Sequence, residues 1–183
     1  IGDKKPDPWL EEGIWKMRFD TQTASILPPA GLITSGPCGF AYAPGTGLPE
    51  KYARHFFVCD YSAGSNSGVH SFTAEEDGAG FVMKNDEKFC WGLTATDVAF
   101  GYDGRMYICD YGGGWHLSGK GNIVALSDPE AHKQPVVQEV RKLFADGIGK
   151  LPSKELSALL KHAHMHVRQR VQFELAKRGK EGL

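Results

Sequence analysis

The sequence of 183 residues lacks several features that would indicate a function class directly. It has no apolar run near the ~18–20 residues needed to cross a bilayer, and no charged-then-apolar signal segment at its beginning. Its four cysteines include no Cys-x-x-Cys pair, which argues against a zinc site and, without Cys-x-x-Cys-His, against haem attachment. The formal net charge of −1 argues against binding to nucleic acid or to a membrane surface by charge.

The charge that is present is unevenly distributed along the chain. Residues 1–134 carry 11 Lys/Arg and 17 Asp/Glu, a net charge of −6, whereas residues 135–183 carry 10 and 5, a net charge of +5. This shift predicts a boundary near Pro135. Because the chain begins with Ile and its last residues, KRGKEGL, stand within a helical pattern, we expect an internal piece of a longer protein.

Two stretches fifty positions apart are nearly the same, HFFVCDYSAG from His55 and RMYICDYGGG from Arg105. Each follows a short apolar stretch and a turn, and Asp103-Gly104 is a strong hairpin signal. Each also leads to a third alternating stretch, and FVMKNDEKFCWG adds a fourth to the first unit. A β-sandwich would not repeat Cys-Asp-Tyr at a constant offset. The repeat therefore predicts antiparallel meanders, the blades of a β-propeller.

From Pro135 the apolar period changes from 2 to 3.6. In PVVQEVRKLFADG, Pro135 suits the first turn of a helix and Gly147 its end. LPSKELSALLKHA places leucines on one stripe behind a Ser153 cap, and HVRQRVQFELAKRG stacks Val167 and Val171 on one face. Two such helices joined by a tight turn are one unit of an α-solenoid, and the last stretch resembles the second helix of a HEAT repeat.

The predicted fold is thus mainly β with a C-terminal α part, a partial β-propeller followed by a HEAT-like helical hairpin. The partial propeller, of about two to two and a half four-stranded blades, is expected over residues 1–134. Its blades are expected at about 35–92 and 93–130, with the tail of an earlier blade at 10–30. A connecting helix follows at 135–150 and a truncated HEAT-like repeat at 151–183.

The propeller part carries a family resemblance in four stretches, GPCGFAYAPGTGLPEKYARHFFVCDY, SNSGVHSF, GLTATDVAFGYDGRMYICDYGGGW and GKGNIVALSDPE. They resemble the last blades of large secreted planctomycete-type proteins of the membrane-bound or sorbosone-type dehydrogenases. These proteins are related to soluble quinoprotein glucose dehydrogenase. In that family HEAT repeats follow the propeller, often with a c-type haem domain after them, and this sequence has no haem motif.

The resemblance implies oxidation of a sugar or alcohol with pyrroloquinoline quinone (PQQ) and calcium, in a secreted or periplasmic protein. The catalytic His of the family belongs to an earlier blade, so no catalytic residue is assigned in this sequence. A secreted location would permit a Cys38–Cys59 or a Cys90–Cys109 bridge, and buried thiols are the alternative. His162 and His166 of HAHMH lie one helical turn apart, but the inter-helix turn favours exposed polar residues over a metal site.

The loop CDYGGGWHLSGKG has the most features of a binding site. Its glycines allow close approach of a ligand, and an aromatic face beside polar groups suits sugars and quinones. Loops at equivalent positions cluster on one face of a ring, so six residues are candidates for lining a pocket or binding a cofactor: Asp60, His70, Asp97, Asp110, Trp115 and Lys120. Alternatively, the aspartates fix turns and Trp115 packs on a neighbouring blade.

The functional expectation is a fragment of a quinoprotein-type sugar or alcohol dehydrogenase-like propeller protein with HEAT repeats. Its small-molecule partner would be a sugar or alcohol, and its HEAT part could bind a protein. No nucleic-acid partner and no transmembrane segment are expected. The alternative is a non-catalytic scaffold whose propeller and solenoid bind protein or glycan partners.

Overall fold

The computed structural model describes residues 11–13, 29–116 and 119–179. Within these ranges an all-β part is followed by a helical part, with short 3₁₀ turns at Glu50–Tyr52 and Ile148–Lys150. The strands are β1 (Pro37–Tyr42), β2 (Phe56–Asp60), β3 (Gly68–Asp77), β4 (Gly80–Trp91), β5 (Ala95–Phe100), β6 (Met106–Asp110) and β7 (Asn122–Leu126). The helices are α1 (Pro129–His132), α2 (Pro135–Asp146), α3 (Ser153–Leu159) and α4 (Met165–Arg178).

The strands form two antiparallel meanders, as the repeat in the sequence predicts. The first sheet has the order β1-β2-β3-β4 and the second the order β5-β6-β7. The predicted antiparallel sheets with helices after them are therefore confirmed. Within the described residues the second sheet has three strands, so the prediction of four strands is wrong for that sheet there. The predicted tail of an earlier blade at 10–30 falls mostly outside the described residues.

The repeated Cys-Asp-Tyr ends the second strand of each sheet and makes the same bonds twice. Asp60 Oδ1 accepts the N–H of Gly36 at 3.1 Å, and Asp110 Oδ1 accepts the N–H of Thr94 at 3.0 Å. In both sheets the N–H of the following tyrosine donates to the carbonyl of that same residue, at 2.8 and 2.9 Å. Each Asp therefore ties the end of the second strand to the start of the first.

The two sheets pack against each other through one apolar core. Its buried residues come from both sheets: Ala43, Phe57, Cys59, Val69, Ala95, Val98, Met106 and Ile108. Phe57 is fully buried and meets the ring of Phe100 edge-to-face at 5.4 Å across the interface. At the edge where β1 meets β5, a Cβ on Gly39 would lie 2.3 Å from Asp97 Cα, so only glycine permits this approach.

The equivalent cysteines differ in burial although their strand positions match. Cys59 is fully buried and Cys109 is exposed. The reason is that Cys59 lies on the face of β2 that packs on the second sheet, whereas no described element covers the corresponding face of β6. Successive residues of a strand point to opposite faces, so Cys59 is buried at the interface between the sheets while the equivalent Cys109 is exposed.

The helices build a second core from α2, the 3₁₀ turn, α3 and α4: Val140, Ile148, Leu156, Val167 and Val171. Helix α2 begins with Pro135 and ends before Gly147, whose φ is +89°, which confirms both predicted limits. The predicted Ser153 cap is wrong, because Ser153 is the first helical residue and makes no cap hydrogen bond. Its hydroxyl oxygen instead accepts a hydrogen bond from Arg178 at 3.0 Å.

The helical part is joined to the sheets by direct contacts. The rings of Tyr102 and Phe144 stack at 3.6 Å, and the Met165 N–H donates to the Pro44 carbonyl at 2.7 Å. The histidines of HAHMH lie at this junction, and the expected exposure is wrong for His164, which is 1% exposed. No helix in the described part of the chain is long and apolar enough to cross a membrane.

Candidate functional site

The loops after β2 and β6 meet at one end of the two sheets, called here the loop end (residues 60–70 and 91–97 with 110–116 and 119–122). Tyr61 packs edge-to-face on Tyr111 at 5.9 Å and on Trp115 at 5.1 Å. The Tyr61 hydroxyl donates to the Gly114 carbonyl, and the Gly114 N–H donates to the Ala63 carbonyl at 2.9 Å. Trp115 remains 67% exposed. The loop end therefore presents an aromatic surface held by bonds between the two loops.

Two of the predicted residues, Asp60 and His70, come together beside a second tryptophan. The Nε2 of His70 lies 3.6 Å from Oδ2 of Asp60, and both side chains are largely buried. The His70 ring meets Trp91 at 4.8 Å, and the indole N–H donates to Asn66 Oδ1 at 3.2 Å. The ammonium of Lys88 lies 4.2 Å from the centre of the Trp91 ring. An imidazole oriented by a carboxylate can act as an acid, a base or a hydrogen-bonding group.

Asp110 has a different set of partners, which hold the glycine loop. Its Oδ1 accepts from the Thr94 hydroxyl at 2.5 Å, and also from the N–H of Gly112 at 3.2 Å. The Thr94 hydroxyl, chiefly, holds the pKa of Asp110 below its usual value. Thr94 Oγ1 in turn accepts the N–H groups of Gly112 and Gly113 at 2.8 and 3.0 Å. Asp110 thus shapes the glycine loop.

The run of glycines is required by the backbone here. Gly112, Gly113 and Gly114 have φ values of +83°, +98° and +78°. Three successive residues in this region would be strained with any side chain. A Cβ on Gly112 would also lie 2.8 Å from the Lys120 carbonyl oxygen. The bend brings Trp115 back over Tyr61.

The remaining two candidates, Asp97 and Lys120, have contacts different from those of the His70–Asp60 pair. Asp97 packs over Gly39, and its Oδ1 accepts the Val98 N–H at 2.9 Å. Lys120 lies beside the glycine run, and its carbonyl accepts the side-chain amide of Asn122 at 2.9 Å. Asp97 therefore belongs to the edge between β1 and β5, and Lys120 belongs to the loop holding Trp115.

Sequence reasoning missed several residues that build this site: Tyr61, Tyr111, Thr94 and Trp91. A signal for the tyrosines was present, since each directly follows the repeated Cys-Asp. Thr94 and Trp91 carry no such signal, because their partners are distant in sequence and only the sheet pairing brings them close.

PQQ and calcium, implied by the resemblance, do not fit the described residues alone. No group of three or more His, Cys, Asp or Glu side chains among these residues could hold a metal ion, whereas calcium takes about 6–8 oxygen ligands. The carboxylates of Asp60 and Asp110 already accept backbone N–H groups. Calcium, and a PQQ held beside it, would therefore need ligands other than these side chains.

The four cysteines, all of them described, are free thiols in the structure. Cys38 Sγ contacts the carbonyl oxygens of Cys59 at 3.7 Å and Ala95 at 3.4 Å. Burial, followed by Cys38 and Asp97, raises the pKa of Cys59 to about 12. A thiol with that pKa is protonated and unreactive at neutral pH, so Cys59 serves as a core residue.

Comparison with known proteins returned no match: no family, no curated protein and no solved structure is significantly similar to this chain. The functional argument therefore depends on the geometry of the chain itself and on the resemblance described above.

Proposed function

We propose that this chain is part of a quinoprotein-type sugar or alcohol dehydrogenase-like β-propeller protein with HEAT repeats. In this proposal the two sheets are consecutive blades, and α3 and α4 form the first HEAT-like pair. The doubled Asp–amide tie between second and first strands supports it, since equivalent bonds at a constant offset are expected of repeats placed around a ring.

The face of the first sheet that no described element covers gives independent support for the ring. Phe56 stacks between Phe40 at 5.5 Å and Phe72 at 5.4 Å, and Phe40 is 56% exposed. In the register of the repeat these three correspond to second-sheet residues on the face that packs on the first sheet: Val98, Met106 and Leu126. In a ring, a preceding blade would cover this aromatic face, which otherwise leaves a large apolar patch in water.

One observation indicates the class of ligand: the exposed Trp115 packs on Tyr61, and Tyr61 directly follows Asp60 of the His70–Asp60 pair. A sugar offers C–H faces that stack on aromatic rings and hydroxyl groups that bind polar side chains. In this proposal the loop end binds and orients the sugar or alcohol. The catalytic His, PQQ and calcium would be supplied by other blades, in a secreted or periplasmic protein.

Sugar binding is tested by isothermal titration of this chain with a panel of monosaccharides and polyols. Trp115→Ala is expected to weaken binding by about two- to tenfold, if the sugar–ring contact contributes the roughly 0.5–1.5 kcal/mol of an aromatic pair. The matched control is Phe173→Ala, which removes another exposed aromatic ring (58%) from helix α4. Equal affinities for the two variants would reject the loop end as the sugar site.

Oxidation is tested separately on the full-length protein, with dye-linked turnover measured after addition of PQQ and calcium. The alternative is a non-catalytic scaffold that binds protein or glycan partners. Two exposed apolar residues in the helical part favour a protein partner there, Phe173 and Leu160 at 58% and 41%. Quinone binding with turnover supports the dehydrogenase. Sugar binding without quinone binding or turnover supports the scaffold.

A further inference from the structure

A cavity lies at the opposite end of β2 from the loop end. It has a volume of about 400 Å³, and its lining residues come from the 3₁₀ turn before β2 and from β4: Lys51, Tyr52, His55, Asn85, Asp86 and Glu87. His55 immediately precedes β2, whereas Asp60 ends that strand. No residue of the loop end contributes to this cavity, so its chemistry is separate from the site described above.

A buried polar chain runs behind the cavity wall. His55 is 7% exposed, and its Nδ1 lies 3.3 Å from Oγ of the fully buried Ser71. The Ser71 hydroxyl donates to Glu87 Oε1 at 3.5 Å. When the Ser71 hydroxyl donates its one proton to the Glu87 carboxylate, the tautomer of His55 that fits is the one in which Nδ1 donates to Ser71. Burial lowers the pKa of His55, so Nε2 is a bare acceptor at neutral pH.

The backbone of β4 is distorted where it lines the cavity. The pairing of β3 with β4 shifts register between Ser71 and Thr73, which marks a bulge opposite them. Asn85 lies in this bulge with a φ of +52°, and its side-chain amide donates to Thr73 Oγ1 at 2.9 Å. Bulges of this kind redirect side chains and are common beside binding sites. Here the bulge places Asp86 and Glu87 together on the cavity wall.

In the structure the ammonium group of Lys51 lies between the Tyr52 ring and the Glu87 carboxylate. Lys51 Nζ lies 4.3 Å from the centre of the Tyr52 ring and 4.0 Å from Glu87 Oε1. The Lys51 side chain is 65% exposed. An exposed ion pair of this kind contributes little to stability, so Lys51 can leave this position at small cost.

We propose that this cavity binds a small primary amine in its ammonium form, and that Lys51 acts as a tethered competitor for the same position. The Tyr52 ring offers a cation–π contact, Glu87 and Asp86 offer carboxylate oxygens, and the His55 imidazole is a further polar group of the lining. The lining carries one cation and two carboxylates, so its net charge favours a cationic ligand. The volume admits a small amine but not a folded partner. This inference is independent of the propeller assignment.

The test is an NMR titration of the full chain with ethylammonium chloride, using ethanol as the uncharged analogue. Ethylammonium is expected to shift the resonances of Tyr52 and His55, and ethanol to leave them unchanged. Glu87→Gln keeps the acceptor for Ser71 but removes the charge, and it should weaken binding by about tenfold. Lys51→Met keeps the aliphatic stem without the ammonium and should strengthen binding about threefold or more, because the competitor is gone.

Matched variants separate this effect from a general change of charge. Lys51→Arg keeps a tethered cation and should bind as the wild type does, and Lys133→Met removes a cation paired with Glu130 at 3.0 Å elsewhere on the surface. Weaker binding by Lys51→Met, or equal binding by Glu87→Gln and wild type when both have native circular dichroism, would overturn the proposal. So would an absence of any ethylammonium shift. A second probe, Nα-acetyl-lysine methylamide, carries a lysine side chain as it occurs within a protein. Comparing its affinity with that of ethylammonium distinguishes a protein lysine from a free amine as the source of the ammonium group.

Discussion

Stability in acid should depend strongly on one buried imidazole, that of His164, at the junction of the helices with the sheets. His164 is 1% exposed, and its Nδ1 has no hydrogen-bond partner among the described residues. Burial first, then the neighbouring His166, His162 and Arg168, lower its pKa from 6.5 to about 4. Among the described residues, the carboxylate of Glu139 lies 3.7 Å from His162 Nε2 and not against His164.

The magnitude follows from linkage between protonation and folding. In the unfolded chain His164 takes up its proton near pH 6.5, whereas in the folded chain it does so only near pH 4. The folded state therefore keeps its full stability above pH 6.5 and loses stability as the pH falls from 6.5 to 4. Each pKa unit is equivalent to ~1.4 kcal/mol, so the loss amounts to about 3 kcal/mol as an upper value.

The measurement is urea denaturation, followed by circular dichroism, at pH 7.5, 6, 5 and 4 for the wild type and His164→Phe. Carboxylates titrate in both proteins, so the difference between their free energies of unfolding isolates His164. We expect that difference to change by about 3 kcal/mol in favour of the variant between pH 7.5 and 4. His164→Gln provides the same comparison if the larger ring distorts the junction.

Val167→Ala is the control, because it removes apolar volume from a fully buried position on the same helix without removing a titratable group. Its cost in unfolding free energy should be the same at every pH. The reasoning is refuted if the wild type and both His164 variants lose stability in parallel as the pH falls.

Three further predictions concern packing, the glycine loop and the helical part. Phe57→Ala should lower the free energy of unfolding by about 3–5 kcal/mol in urea denaturation, because Phe57 is fully buried between the sheets; a loss below ~1 kcal/mol would contradict that packing. Thr94→Val should lower the free energy of unfolding by about 1–3 kcal/mol and also weaken sugar binding, because Asp110 loses a donor and two glycine N–H groups lose an acceptor. Unchanged sugar binding and unchanged stability would contradict the hydrogen bonds described for this loop. Arg178→Met should lower the free energy of unfolding by about 1–3 kcal/mol, because the Arg178 guanidinium donates to Ser153 Oγ and to the Gly149 and Leu151 carbonyls. Arg170→Met removes one ion pair to Glu174 and should lower it by less than ~1 kcal/mol. Equal losses for the two arginine variants would be inconsistent with these contacts.

The arginines show how far a sequence pattern can be interpreted. Basic residues on a helix face are usually solvated, and that is the expectation for Arg168, Arg170, Lys177 and Arg178. The structure corrects it for two of them. Arg168 donates to the carbonyls of His162 and Ala163 at 2.6 and 2.8 Å, and Arg178 bonds the turn before α3. Their partners lie in another segment, which a helical period does not encode.

Part of the candidate site was predictable because its residues belong to a repeat. Asp60, His70, Asp110 and Trp115 belong to a repeated loop, and a repeat implies that equivalent positions lie at the same end of neighbouring sheets. The position of Asp97 over Gly39 depends on how β5 packs against β1, which the repeat does not encode. The cavity at His55 was not predicted, since the residues lining it come from segments about thirty positions apart.

The sequence by itself determined the local and periodic features of this protein. They are the alternating strands of the two units, the Asp ties at a fixed offset, and the limits of α2 at Pro135 and Gly147. These follow from backbone sterics and from side-chain period, which act between near neighbours in the chain. Tertiary structure alone decided which of two equivalent cysteines is buried, why His164 is enclosed, and where Lys51 meets Glu87. Those outcomes depend on which surfaces pack together, and packing joins residues that no local pattern relates.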